Sequence, residues 1–380
     1  MEPMRGKSLR VLELNFERSW RGGERQTMYC MSGFRDAGIT VELLCRKNYP
    51  LEAKAKEQGF KTVSFSNVLG ALFYLIFNGR KYDVLHAQSS HILTYLVLSK
   101  PFHKAKLIFT RRVDFVPHGR MTLLKYKLTD KVVAISTAIK KILENFGAKD
   151  VKLISSASVA RPLNETRARQ ILAELNLPAG THIIGTTAAL VQHKDPLVMV
   201  EAIKELAAMR RDFVFLHFGK GNLEEQMRAK IEEYGLQNIY HLMGFYENVE
   251  DVFSILDVFA MSSEQEGLGS SVLDAFMYKV PVVSTDAGGL ADLVGGGRAI
   301  ACQMKRPDML AQGMNTLLSN QEVREAVIRR AYDFTINNHG LHHITDEYLR
   351  LFAEMGENVP VPPVVPGENA GVAAGQNIYL

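Results

Sequence analysis

The residues best suited to chemistry in this 380-residue chain stand close together in the segment 262–283, SSEQEGLGSSVLDAFMYKVPVV. An apolar strand, VFAM, precedes it, a glycine-rich loop follows, and a helix is predicted to start near Ser270. A helix N-terminus at the carboxyl end of a strand offers unpaired N–H groups and a positive dipole end to an anion. Gly267 and Gly269 let the backbone approach a ligand closely. Glu266 sits at the loop's mouth, and Asp274 follows eight positions later, about two helical turns on. Carboxylates are poor ligands for phosphate but good acceptors from sugar hydroxyls. A diphosphate bracketed by hydroxyl readers describes a nucleotide-sugar.

Other residues admit duller readings. Gly219-Lys220-Gly221 suggests a dinucleotide loop, but position 224 is Glu where a third glycine would stand, so it reads as a turn. His86 and His91 are five apart, poor spacing for one helix face, and read as core or loop histidines; no metal site is expected. Arg111 and Arg112 fall at the carboxyl end of a predicted strand, where a ligand contact and a salt-bridged loop pair are both open readings.

These groups need a scaffold. Strands are predicted at Leu9–Leu14, Ile39–Leu44, Asp83–Leu85, Leu107–Phe109 and Lys131–Ile135, with a helix carrying Met28, Met31 and Phe34 that Gly38 closes. The second half repeats the rhythm at Ile183–Thr186, Phe213–Phe218, Ile239–Leu242, Val258–Met261 and Val282–Ser284. Helices there begin near Pro196, Leu223, Val249 and Ser270. The alternation predicts an α/β fold of two Rossmann-like, doubly wound domains. The small, polar junction at Ser155–Glu165 divides domains 1–160 and 161–340. A helix over 341–356 can cross back to the first domain, and 357–380, rich in Pro, Gly and Val, reads as a flexible tail.

Composition narrows the class. Hydrophobic residues make up 47% and charged residues 23%, ordinary for a globular protein. Three scattered cysteines exclude a disulfide framework and suit a reducing, cytoplasmic setting. Residues 1–160 hold 27 Lys and Arg against 13 Asp and Glu, or +14; residues 161–380 hold 18 against 28, or −10. A basic first domain suits an anionic partner such as a phosphorylated acceptor or the inner face of a membrane. Val68–Phe77, VLGALFYLIF, is half the length of a membrane span and reads as a buried helix or a lipid contact. No helix-turn-helix, RNA-binding aromatic motif or zinc finger points to nucleic acid.

Six segments, in order, resemble one family. They are GGERQTM at 22–28, DVLHAQ at 83–88, KVVAIST at 131–137, FGKGNLEEQ at 218–226, MGFYENVEDVFSILDVFAMSS at 243–263 with its EGLG, and STDAGGLADLV at 284–294. The chain is similar to the family-4 retaining glycosyltransferases, whose two domains face across a cleft in the B-type glycosyltransferase fold.

The resemblance implies roles. Glu266 would contact the donor sugar and Asp274 the ribose. Backbone amides around Leu268, Gly269, Ser270, Ser271 and Val272 would bind the diphosphate, helped by Gly22 and Gly23 of the first domain. Lys194 would neutralise phosphate charge, and Gly244 and Phe245 would border the base. The chain departs from the pattern at Ala189, where the family has an arginine, and at Arg112, where it has a histidine. ASVA at 157–160 replaces an interdomain NGVD. Arg111, Arg112, Asp114 or His118 would then supply the first domain's catalytic contact, with Arg112 and Asp114 the choice carried forward. The expected activity is metal-independent hexosyl transfer from a UDP-sugar, as donor substrate and not cofactor, to a glycan or glycolipid of the cell envelope. A nucleotide-sugar epimerase and a non-catalytic nucleotide-sugar binder are the alternatives.

Overall fold

The computed structural model describes residues 8–360. The chain divides into two compact units, one ending at Ala157 and taking the chain up again at His339, the other spanning Ser158–Asn338. The expected tail beyond 360 lies outside the described residues.

The first unit alternates β1 (Arg10–Asn15), α1 (Gly22–Asp36), β2 (Thr40–Arg46), α2 (Pro50–Glu57), β3 (Lys61–Phe65), α3 (Val68–Asn78), β4 (Val84–Ala87), α4 (Ser90–Ser99), β5 (Lys106–Arg111), α5 (Arg120–Leu128), β6 (Lys131–Ala134), α6 (Thr137–Phe146) and β7 (Val151–Leu153). Every pair is parallel and the strand order is β3-β2-β1-β4-β5-β6-β7. Right-handed crossovers then put α1 and α2 on one face of the sheet and α3 to α6 on the other.

The second unit runs α7 (Glu165–Leu175), β8 (His182–Thr187), α8 (Pro196–Met209), β9 (Phe213–Phe218), α9 (Glu224–Glu233), β10 (Tyr240–Gly244), β11 (Val258–Met261), α10 (Ser270–Met277), β12 (Val282–Thr285), α11 (Leu290–Val294), β13 (Ile300–Cys302), α12 (Pro307–Ser319) and α13 (Gln321–His339). Its parallel sheet has the order β10-β9-β8-β11-β12-β13. Helices cover both faces, so the strands read as unbroken apolar runs and not as alternation; all six residues of β9 are buried.

Three strands escaped the sequence reading: β3, β7 and β13. Each is short or carries lysine and serine, so it lacks the apolar run that marks a central strand. The helix expected at Val249 is a 3₁₀ segment, Val249–Ser254. The three cysteines are buried and free, and burial pushes each thiol up to about 12. They are therefore poor nucleophiles.

The last helix, α14 (Leu341–Glu354), belongs to the first unit. Tyr348 and Phe352 pack their rings on Phe34 at centroid distances of 5.6 and 5.3 Å. The Tyr348 hydroxyl meets Thr110 Oγ1 at 3.0 Å. This close approach depends on Gly33, where a Cβ would run into Thr345 Oγ1 and stand 3.4 Å from Leu341 Cδ1. Gly33→Val should therefore destabilise the protein by about 1–3 kcal/mol, the usual cost of overpacking. Thr345→Ala in a Gly33→Ala background should recover part of the loss. Urea unfolding midpoints measure both, and an unchanged midpoint for Gly33→Val would refute the close-packing account.

Candidate active site

In the second unit the chain steps from β8 to β9 and β10 on one side, then returns to lay β11 on the other. The loops leaving β8 and β11 must part, and a crevice opens at the carboxyl ends of these two strands. Hydrogen bonds tie its two walls. Ser262 Oγ donates to the carbonyls of Lys194 (3.1 Å) and Asp195 (2.9 Å), and the amides of Glu264 and Gln265 donate to the His193 carbonyl. The result is an ion pair between Lys194 Nζ and the Glu266 carboxylate, with the side chains 18% and 16% exposed.

Sequence reading missed the brace behind this pair. Lys305, from the loop after β13, pairs with Asp195 at 2.7 Å and with Glu264. Burial raises the Asp195 carboxyl above its usual range, and Lys305 opposes that rise.

Beyond Glu266 the loop turns sharply into α10. Gly269 adopts φ +104°, open to glycine, and a Cβ there would stand 2.5 Å from Leu290 Cδ2. The Gly289 amide donates to the Glu266 carbonyl at 2.7 Å, and a Cβ on Gly289 would lie 2.8 Å from Leu268 Cα. Leu268 and Val272 bury their side chains, so they present only backbone to a ligand. The first bond of α10 runs from the Val272 amide to the Gly269 carbonyl, which leaves the amides of Ser270 and Ser271 ahead of the helix's own ladder.

Two buried hydroxyls lie at or just past the ends of neighbouring strands, β8 and β11. Thr187 Oγ1 and Ser263 Oγ are buried and have no hydrogen-bond partner among the described residues. Ser271 Oγ donates to the Thr187 carbonyl (3.3 Å), which sets Thr187 beside α10, and Thr285 Oγ1 donates to the Ser263 carbonyl (2.7 Å), which sets Ser263 beside the end of β12. Buried polar atoms ordinarily find partners, so this pair suits a polar ligand or water.

The remaining residues of this unit are spread along the edge. Asp274 is 8% exposed, one turn inside α10. Gly244 ends β10, two strands away from β8, with Lys220 against it, and Phe245 follows it, exposed. Gly219–Gly221 is loop, its first amide bonded to the Gly244 carbonyl at 2.8 Å. A shallow cavity of about 440 Å³ near Leu177, Thr181 and Phe213 lies at the amino ends of β8 and β9, the opposite end from this crevice.

The first unit has its own switch point, between β1 and β4. Buried Glu13 accepts from Gln88 Nε2 (2.8 Å) and bonds His86 Nδ1 (2.8 Å), while His86 Nε2 meets Thr110 Oγ1 (2.7 Å). Gln88 Oε1 in turn accepts from Arg112 Nε (3.1 Å) and Nη2 (2.7 Å), and Ser156 takes Arg112 Nη1 at 3.3 Å. Arg112 Cδ is 3.9 Å from where a Gly23 Cβ would stand, so Arg112, Gly22 and Gly23 gather at the start of α1.

Arg111 points elsewhere. It is buried and donates to the Tyr126 hydroxyl (2.9 Å) and the Phe115 carbonyl, which makes it a brace for the loop and α5. Asp114 is half-buried in that loop and His118 is exposed. Glu13, Gln88 and Ser156 were not singled out from sequence; the DVLHAQ motif was the available signal for Gln88.

Residues 168–334 match the family model described as glycosyl transferases group 1, and residues 20–156 that of glycosyltransferase family 4. The chain belongs to the family-4 glycosyltransferases, of the B-type fold. A 2-deoxystreptamine glucosyltransferase of Streptomyces kanamyceticus is 31% identical over 169 residues, 43% of each chain, so that match spans less than half of either protein. The lipopolysaccharide core biosynthesis glycosyltransferase LpsE of Rhizobium meliloti is 22% identical over 87% of this chain and 96% of its own. The crystal structure of Anabaena HepE with UDP and glucose superposes with a TM-score of 0.78 at 17% identity, covering 91% of this chain and 100% of that one, a likeness of fold.

One buried group makes this family-4 glycosyltransferase sensitive to pH. His217 Nδ1 accepts from the Tyr240 hydroxyl (2.8 Å), and Nε2 donates to the carbonyl of Ala188, the first residue after β8 (3.1 Å). Burial lowers its pKa to about 4 from 6.5. The unfolded chain therefore takes up the proton first as pH falls. The contribution is whole above pH 6.5 and is lost as pH falls toward 4, by up to ~3 kcal/mol. His217→Gln should flatten that part of the stability profile. A profile between pH 6.5 and 4 that His217→Gln leaves unchanged would show that this histidine does not titrate as argued.

Proposed function

We propose that this family-4 glycosyltransferase moves a hexosyl group, with retention of configuration, from a UDP-sugar to a glycan or lipid-linked glycan acceptor of the cell envelope, using no metal ion. The observation that carries the reading is the Lys194–Glu266 pair at the second unit's switch point, beside the N-terminus of α10. An ammonium group and helix amides meet the diphosphate there, and a carboxylate meets hydroxyls. Thr187, beside α10, offers one more hydrogen-bonding group. The relative named for lipopolysaccharide core biosynthesis and the neighbour holding UDP and glucose support the acceptor and donor classes.

In this reading the bond between the sugar's anomeric carbon and the diphosphate oxygen breaks as the acceptor oxygen bonds the same carbon from the same face. The acceptor's proton passes to the phosphate oxygen that is released, so the products are the glycoside and protonated nucleoside diphosphate. Negative charge grows on the leaving group. Lys194, released from Glu266 onto the phosphate, and the N-terminus of α10 stabilise it by electrostatics arranged in advance. Within the first unit, Arg112 is held fast through Gln88 and Glu13 and would meet an anionic substrate group at the start of α1.

Glu266→Gln should lower transfer about 100-fold or more while changing UDP affinity only slightly, because the amide keeps the shape and loses the charge. Wild-type turnover in that variant would remove Glu266 from the site. Lys194→Ala should weaken UDP binding about 10- to 100-fold, the worth of one charge-assisted hydrogen bond. Calorimetry with UDP and UMP checks this; equal wild-type affinities for the two would contradict a diphosphate site. Transfer should survive chelator, and activity lost to chelation and restored by manganese would contradict the metal-free scheme. Release of epimerised nucleotide-sugar in the absence of acceptor would favour an epimerase instead.

A further inference from the structure

Helix α3, whose sequence reads as a buried helix or a lipid contact, is buried on one side only. Ala71 and Leu75 face the sheet, while Leu69, Phe73 and Phe77 are 59%, 58% and 68% exposed. These three recur every four residues and form one outward stripe. Helix α5 does the same with Met121, Leu124 and Leu128. Between these helices lies α4, which packs against both, and the turn that follows it exposes Phe102. Three adjacent helices on one face of the first unit's sheet thus carry a shared apolar surface.

The surrounding charge is predominantly basic. From residue 66 to 130 the chain has ten Lys and Arg and three acids, Asp83, Asp114 and Asp130, the last paired with Lys100 at 3.1 Å. Arg80, Lys81, Lys104, Arg120 and Lys127 are exposed among these helices. Lysines and arginines near a helix C-terminus complement its dipole, which accounts for some of them. That account does not extend to Arg120 at the start of α5, or to the apolar stripes, whose exposure costs free energy in water.

We propose that the outer face of α3, α4 and α5 docks on a lipid bilayer rich in anionic phospholipid, with the stripes entering the headgroup boundary and the basic residues binding the surface charge. A second copy of the chain is disfavoured as the occupant, since the five exposed cations would face the same array across a symmetric contact. The inference stands on this surface alone and does not depend on the transferase reading.

The test is vesicle flotation of the full chain. Vesicles of phosphatidylcholine with about one-third phosphatidylglycerol should carry the protein, and pure phosphatidylcholine should not. Raising salt should weaken binding. Lys104→Gln and Lys127→Gln should each reduce it roughly fivefold. Phe73→Ser with Phe77→Ser should reduce it further while the thermal melt stays intact, because both side chains already face out. Absence of binding to either vesicle at low salt would overturn the proposal, as would binding that neither set of substitutions alters. So would light scattering that shows a dimer which Phe73→Ser disperses, since the face would then be a contact between copies.

Discussion

A parallel sheet wound in both directions has one place where neighbouring strands send their chains opposite ways. No covering helix can sit over both departures, so backbone and polar side chains at that point stay open to a ligand. In the second unit this happens between β8 and β11, and the Lys194–Glu266 pair stands there. In the first it happens between β1 and β4, and Gln88, Arg112 and the start of α1 stand there. The rest of each unit serves to hold these openings. Buried strands fix the sheet from which these loops leave.

Holding charged groups at such an opening requires partners behind them. The second unit uses Lys305, Asp195 and Glu264, with Ser262 joining the two loops. The first uses a deeper chain of hydrogen bonds from Glu13 through Gln88 to Arg112, and from Glu13 through His86 and Thr110 to Tyr348 of α14. A carboxylate with no exposure, such as Glu13, is tolerable only because both oxygens are engaged. Within this network Gln88 orients the Arg112 guanidinium by accepting from two of its nitrogens at once.

The sequence by itself determined the alternating α/β order and the strand–glycine loop–helix unit that carries Glu266. Each is local. Apolar runs mark central strands, and glycines at 267, 269 and 289 mark where backbone must crowd or turn. Tertiary structure decided the pairings. Lys194 and Glu266 are 72 residues apart, and their contact follows from strand order, which no local periodicity encodes. The same reason hid the brace from Lys305 and the support of Arg112 by Gln88, and turned Arg111 from a candidate ligand contact into a buried brace. It also decided α3, whose uniformly apolar sequence could not say which side would meet the sheet and which would be left outside.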